Sequence, residues 1–383
     1  MRILACVLLC HFLSAFSVLG MPLFMPRMLG TFGSEAPDYL IGILFALPSI
    51  CTAMAAAFWG RFADRYGKRT SLLRAQLGLT MGFLLCGFAD SLGMFILGLL
   101  VQGLCGGTLA ASNAYLATQL KGQHLTNSLN LTQLSARVAL IVGPIALGFF
   151  TQLSEPLLLY RGLALLPLLA LLATLWLPVD SSVVGDKQIA ENGEQPIAVT
   201  QLAVLQFLFC FSMVVTYPYF LPYAEMLGLT NDSLVGLLYS LPHLVYALLL
   251  IPIGKLSWSA MSKTVVGLSL LATSGAMQSL TASTEILVLA RLLFGSGILM
   301  TYNGLHLLIT NVVSPANSGT VFGQIDASGK WAGVAAGILA GIVVAQIDIR
   351  MPFLLSVVSA LLAISLLRIF NKGKTTREYQ GCA

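Results

Sequence analysis

Asp326 and Lys330 stand four residues apart in a stretch, 320 to 345, that is otherwise apolar and small, so any helix built there carries both on one face with Gly323, Gly333 and Gly337. An ionised group in hydrocarbon costs several kcal/mol and is tolerated mainly in a water-filled cavity or beside a counter-charge. Two readings follow. The pair neutralises itself as a packing device, or Asp326 carries a proton. In the second case burial and the neighbouring ammonium act in opposite senses on the carboxyl, and moving Lys330 or admitting a bound molecule switches its protonation. Asn130, Gln133 and Arg137 form another polar stripe at i, i+3 and i+7, with Arg137 near the middle of its apolar stretch. It suits an anion, or a partner such as Asp326. Arg291 either couples to that chemistry or snorkels to the nearby surface. His11, with Ser14 one turn on, and His243, between Tyr239 and Tyr246, are imidazoles that titrate near neutral pH; they relay protons, contact a bound molecule, or pack. Tyr217, Tyr302, Asn303 and His306 add polar tips, and hydroxylated aromatics suit an amphipathic organic molecule.

These groups need a scaffold that keeps them out of water. Of the 383 residues 57% are hydrophobic and only 9% charged, with a mean hydropathy of +0.88, values that no soluble domain of this size has. A helix needs about 20 apolar residues to cross about 30 Å of hydrocarbon, and the apolar runs have that length, not the ten-residue alternation of a barrel. Twelve spans are predicted, over 3 to 25, 38 to 59, 70 to 89, 91 to 117, 128 to 150, 156 to 178, 199 to 221, 233 to 254, 264 to 282, 284 to 311, 320 to 345 and 350 to 370. The fold expected is an all-α integral membrane protein. The first run follows Arg2 but is long and lacks a small-x-small cleavage site, so it reads as a span and not a signal peptide.

With both termini inside, fourteen of the twenty Lys and Arg fall at cytoplasmic ends, among them Arg61, Arg65, Lys68, Arg69 and Arg74, while Arg27, Arg161 and Arg350 lie outside. The net charge of +5 is therefore topology and no argument for nucleic acid. Seven cysteines, at 6, 10, 51, 86, 105, 210 and 382, have neither metal-ligand spacing nor a pairing pattern and read as small packing residues. No phosphate-binding Gly-x-x-x-x-Gly-Lys loop is visible, and no metal or other cofactor is expected.

The chain repeats itself at an offset just under two hundred residues. Pro22-Leu-Phe24-Met-Pro26 returns as Pro218-Tyr-Phe220-Leu-Pro222, Ile41-Gly42-Ile-Leu-Phe-Ala-Leu-Pro48 as Val235-Gly236-Leu-Leu-Tyr-Ser-Leu-Pro242, and Gly60-Arg61 as Gly254-Lys255. Six spans per copy give parallel halves: 1–178, a polar cytoplasmic linker 179–198, 199–371, and a cytoplasmic tail 372–383. The paired prolines stop or bend the outer ends of the first and seventh spans; Pro48 and Pro242 lie mid-span.

Between the second and third spans stands Gly60-Arg-Phe-Ala-Asp64-Arg65-Tyr-Gly67-Lys68-Arg69. The order Gly-x-x-x-Asp-Arg-x-Gly-Lys-Arg resembles the loop between helices 2 and 3 of major facilitator superfamily transporters. The fifth span's Arg137-Val-Ala139-Leu-Ile-Val-Gly143-Pro144-Ile-Ala-Leu-Gly148 resembles the Gly-Pro motif of that superfamily's drug:proton antiporters, with Ala139 in place of a glycine and Gly148 one residue late. Leu99-Leu-Val-Gln102-Gly103 resembles a further antiporter motif whose arginine is missing here; its repeat, Arg291-Leu-Leu-Phe-Gly295, has the cation instead. The resemblance implies two six-helix halves rocking about a central site. It also implies a cytoplasmic lock, in which Asp64, Arg65 and Arg69 tie helix 2 to the start of helix 11 near Ser318. The lock residues survive in one half only, since Trp258 and Ser259 replace Asp64 and Arg65 in the other.

The function these readings imply is proton-driven efflux of a small organic compound from the cytoplasm by a monomer in a cell's inner membrane, with protons, the substrate and the bilayer as its partners. Export of a secreted metabolite such as a siderophore, whose carboxylates Arg137, Arg291 and Lys330 would meet, is a narrower form. A proton symporter importing a nutrient is the alternative, and a membrane scaffold or receptor a third class.

Overall fold

A computed structural model describes residues 2–33, 39–120, 122–150, 155–179, 199–310 and 318–380, and regular structure over them is helical. Fifteen α-helices are labelled in chain order: α1 Arg2–Gly20, α2 Met25–Leu29, α3 Tyr39–Tyr66, α4 Lys68–Gly87, α5 Leu92–Cys105, α6 Thr108–Gln119, α7 Gly122–Gly148, α8 Leu158–Thr174, α9 Val199–Val214, α10 Phe220–Met226, α11 Asp232–Gly254, α12 Ala260–Leu280, α13 Thr284–Thr310, α14 Ser318–Gln346 and α15 Met351–Gln380. Among the described residues, seven stretches are each long and apolar enough to cross a bilayer: Ile3–Phe32, Tyr39–Ala56, Leu92–Leu116, Asp232–Ile253, Thr284–Ile309, Ala327–Gln346 and Met351–Phe370. Leu134–Gly148, Leu158–Thr174 and Val199–Val214 are apolar but shorter. Helices α4 and α12, at the predicted third and ninth spans, owe their lower hydropathy to polar side chains turned into the packing, Gln76 and Thr80 in one, Ser274 and Gln278 in the other.

Proline breaks the first and seventh spans where the repeat predicts. After α1 a 3-10 turn, Met21–Phe24, holds Pro22, and α2 starts with Pro26 in its first turn. After α9 the chain turns before α10, which contains Pro222. Helices α3 and α11 continue through Pro48 and Pro242.

The fourth span, predicted continuous over 91 to 117, is interrupted. Helix α5 stops at Cys105 and α6 starts after Gly107, whose φ of 91° and ψ of 25° are left-handed values that a side chain resists. The last carbonyls of α5 are taken up by side chains: Trp59 Nε1 donates to Leu104 O at 2.6 Å, and Arg74 Nη1 to Cys105 O at 2.7 Å and Gly106 O at 3.1 Å. With those orphan acceptors satisfied, ending a helix there costs little. The guanidinium of Arg74 lies 3.6 Å from the Trp59 ring centre, which joins the two donors. The repeat counterpart α13 runs unbroken.

The chain forms two compact units, one of Met1–Gly185 with Phe220–Ser240, the other of Asp186–Tyr219 with Leu241–Ala383. In the first, α1 packs on α7 and α8, α4 on α5 and α8, and α3 on α5. In the second, α9 packs on α14 and α15, and α12 on α13 and α15. The pairings of α9 and α12 are those of α1 and α4 shifted by one repeat. A closer sign is Gly103, where a β-carbon would lie 2.6 Å from Pro48 O; Gly295, its counterpart, would meet Pro242 O at 2.6 Å. Each glycine lets its helix cross at the mid-span proline of its own unit.

Candidate functional site

In the first unit the polar candidates gather where α1 meets α7. His11 is 2% exposed, and its Nδ1 lies 3.1 Å from Ser135 Oγ of α7. Ser14, one turn along α1, is buried, and its Oγ has no hydrogen-bond partner among the described residues. Thr132 Oγ1 donates to Asn113 Oδ1 of α6 at 2.8 Å. On α7, Ser128, Thr132, Ser135 and Ala139 recur at helical spacing and face this packing. Arg137 is half-buried and projects from the opposite face, in line with Pro144 and Gly148 at i+7 and i+11.

That opposite face carries the Gly-Pro motif onto the start of α11. A β-carbon on Gly236 would collide with Pro144 O, and one on Gly148 would lie 2.6 Å from Asp232 O and 2.8 Å from Ser233 Cα. Ser240 Oγ donates to Leu140 O at 3.1 Å, so α7 and this part of α11 run antiparallel with their backbones nearly touching. On its other side Gly143 meets α1, where a β-carbon would stand 3.1 Å from Gly20 Cα. The motif therefore works as a spacer-free seam among three helices.

In the second unit the candidates are aromatic. The Tyr217 and His243 rings lie 6.4 Å apart at 69°, and both residues are buried. Tyr302 of α13 stands edge-on to Phe209 of α9 at 4.7 Å and to Tyr246 of α11 at 6.3 Å. Phe209, which sequence reasoning passed over because phenylalanine is everywhere in such a chain, is fully buried against Tyr302. Lys263, expected at a cytoplasmic helix end, is 3% exposed and gives Nζ to Asn303 Oδ1 at 3.0 Å. His306 is exposed, one turn beyond Tyr302.

Of the two readings left open for Arg291, snorkelling to a surface is excluded: the residue is 1% exposed, with its guanidinium 5.2 Å from the Phe294 ring centre, because α13 is covered by α12 along this stretch. One expectation is corrected. Lys330, expected to be buried, is exposed on α14 beside the half-exposed Trp331, since the packed face of that helix is Ile325, Ala332, Ala336 and Ala340. Asp326 lies on α14, but its side chain, like those of Asp64, Asn130 and Gln133, lies outside the described residues, as do the linker 180–198 and residues 311–317.

At the far end of the first unit, Gly60, Asp64 and Arg65 belong to the last turns of α3. Gly67, with φ at 95°, makes the tight turn into α4. Lys68 opens α4 and is half-exposed. Arg69 reaches α8, giving Nη2 to Leu175 O at 2.5 Å and Nε to Thr174 O at 3.3 Å. A cation on the orphan carbonyls of a helix C-terminus is favourable twice over, by hydrogen bonding and by the dipole. The lock that the resemblance implies, Asp64, Arg65 and Arg69 with the start of helix 11 near Ser318, involves side chains of Asp64 and Ser318 that lie outside the described residues; the described contacts of Arg69 hold α8 within its own unit.

The pattern described as Major Facilitator Superfamily matches residues 7–257 and 202–380. Among sequence relatives, Multidrug resistance protein MdtG of Klebsiella pneumoniae (strain 342) is 33% identical over 132 residues, 34% of this chain and 32% of that protein. The protein of the same name from Rahnella sp. (strain Y9602) is 30% identical over 141 residues, 36% of this chain and 34% of that one. The matched segment thus spans about a third of these relatives. Among solved structures, the human organic anion transporter MFSD10 (TETRAN) superposes with a TM-score of 0.69 at 16% identity, over 96% of this chain and 99% of that one. Nucleoside transporter NupG superposes at 0.74 and 14%, over 96% and 98%. At such identities the likeness is one of fold.

Proposed function

Because the chain belongs to the Major Facilitator Superfamily, and is therefore a multi-pass membrane transporter and not an enzyme, we propose that it exports small amphipathic organic compounds from the cytoplasm in exchange for protons. The observation that carries this reading is the seam at Gly143-Pro144. The segment that resembles the exporters' fifth-helix motif is also where α7 packs against Gly20 and Gly236 with no side chain between. Such contacts are made or lost as a whole, as a gate between two states requires.

The cargo fits the second unit. Tyr246 and Tyr302, half-buried with Phe209 packed against Tyr302, offer aromatic faces and few fixed charges, which suit flat apolar bodies and ask little in hydrogen bonds. The name of the MdtG relatives agrees with a cargo of that kind. Asp326 is the proton carrier in this scheme and Arg137 a contact for anionic groups. In this scheme the termini face the cytoplasm, an orientation supported by the distribution of Lys and Arg.

Everted vesicles holding the overproduced chain and acidified inside test the exchange. Adding ethidium should release lumenal protons, read as recovery of acridine orange fluorescence, in proportion to dye taken up. Dye and protons moving together in the same direction would overturn antiport.

A further inference from the structure

A cation near the start of α12 is buried without a counter-charge. Elsewhere in the chain such a charge is answered: Arg27 of α2 holds Asp232 at 2.8 Å and Glu225 at 2.6 Å. Lys263 is 3% exposed, and among the described residues its one partner is a neutral amide oxygen, Asn303 Oδ1, at 3.0 Å. An ammonium has three N–H donors and no acceptor, so two donors and the whole charge are left over. Lys263 also stands close to the N-terminus of α12, Ala260–Leu280, where the peptide dipoles are themselves positive. Two positive features meet in one low-dielectric place, which is unfavourable until an anion joins them.

The surroundings point to the kind of anion. Asn303 is half-buried, so the ammonium lies one side chain below the surface of the second unit. Because lysine only donates, Asn303 turns Oδ1 inward to it and leaves the Nδ2 hydrogens as donors toward that surface. Leu292 and Leu289 share the Asn303 face of α13 and are 37% and 51% exposed, within a stretch long and apolar enough to span a bilayer. Around the start of α12, Lys255, Ser259 and Ser262 are exposed and Trp258 is half-exposed, a mixture of cation, hydroxyl and indole that suits a headgroup layer. The face thus offers an acyl strip, a headgroup rim and an unanswered cation between them. We infer that Lys263 and Asn303 bind the phosphate of an anionic phospholipid, which supplies the counter-charge that the protein itself leaves out. The phosphate oxygens accept from the ammonium and the Asn303 amide, while the chains lie along Leu292 and Leu289.

The inference rests on the reading of the chain as a membrane transporter with this end toward the cytoplasm, but its test needs neither cargo nor gradient. The full chain, purified in detergent, is titrated with phosphatidylglycerol and with phosphatidylethanolamine of the same acyl chains, and bound lipid is counted by native mass spectrometry. One phosphatidylglycerol should bind about tenfold more tightly than phosphatidylethanolamine, the worth of one charge-assisted contact. Lys263→Met should bring the two affinities together, and Lys263→Arg should keep the preference, which a role in packing alone would not predict. Asn303→Asp gives the ammonium a carboxylate of the protein's own. It should abolish the preference and raise the melting temperature without lipid, and it replaces Lys263→Met where that variant is not recovered folded. Phosphatidylglycerol should raise the melting temperature of the wild-type chain and leave both variants unchanged. No preference in the wild-type chain, or a preference kept in whichever of the two variants is recovered, overturns the inference. Inorganic phosphate that displaces the lipid overturns it too, by assigning the pocket to a free anion. Absence of the site with ethidium efflux intact would leave the transporter reading standing. Charge-selective lipid binding by a chain that moves neither dye nor protons would do the reverse.

Discussion

Among the described residues the His11 ring has one hydrogen-bond partner, Ser135 Oγ. Hydrogen bonds between helices in a membrane average about 0.6 kcal/mol and reach about 1.7, so Ser135→Ala should lower stability only slightly, by an amount visible in unfolding of the detergent-solubilised protein. A loss above about 3 kcal/mol would mean that the residue supports more than this bond. Asp326→Asn should abolish gradient-driven dye efflux and spare dye exchange at zero gradient; wild-type coupling in that variant would remove Asp326 from its role. His11 was legible in the sequence because an imidazole in an apolar run is conspicuous, whereas Ser135 was not, because a membrane helix holds many serines and only the neighbouring helix selects one. Arg291 shows the same limit. Its position near a span end allowed snorkelling, and only the cover of α12 excludes it.

Between helices the contacts are backbone against backbone, and they make sharper predictions than any polar pair. Gly236→Val places a branched side chain into Pro144 O and should cut the yield of folded protein severely, while Gly30→Ala, with nothing within 4 Å of its added carbon, should leave yield and melting temperature unchanged. Equal tolerance at both positions would show that α7 and α11 do not pack as described. Arg69→Gln strips a cation from the C-terminus of α8 and should cost about 0.3–1 kcal/mol. The proline-broken ends of the first and seventh spans were legible, since a ring without N–H acts locally whatever surrounds it. The break between α5 and α6 was not. Gly106-Gly107 permits it, but Arg74 and Trp59, from two other helices, are what satisfy the freed carbonyls.

For the molecule as a whole, the charge bias predicts that a green fluorescent protein fused after residue 370 fluoresces and that alkaline phosphatase fused at the same point stays inactive; the opposite pair would invert the orientation. Composition alone determined that this chain lives in a membrane as helices, because a peptide group in hydrocarbon must be hydrogen-bonded within its own segment or a closed barrel. The repeat leads one to expect a helix-packing plan used twice, and the crossings at Gly103 with Pro48 and at Gly295 with Pro242 have the same geometry. The loop Gly60 to Arg69 and the Gly-Pro segment pointed to the superfamily, for local backbone demands are written in local residues. What only the tertiary structure decided is which side chains meet. Arg27 and Asp232, 205 residues apart, look in sequence like two ordinary charges in different loops. Charge pairing is a matter of distance and burial, and neither is encoded within the reach of one helix.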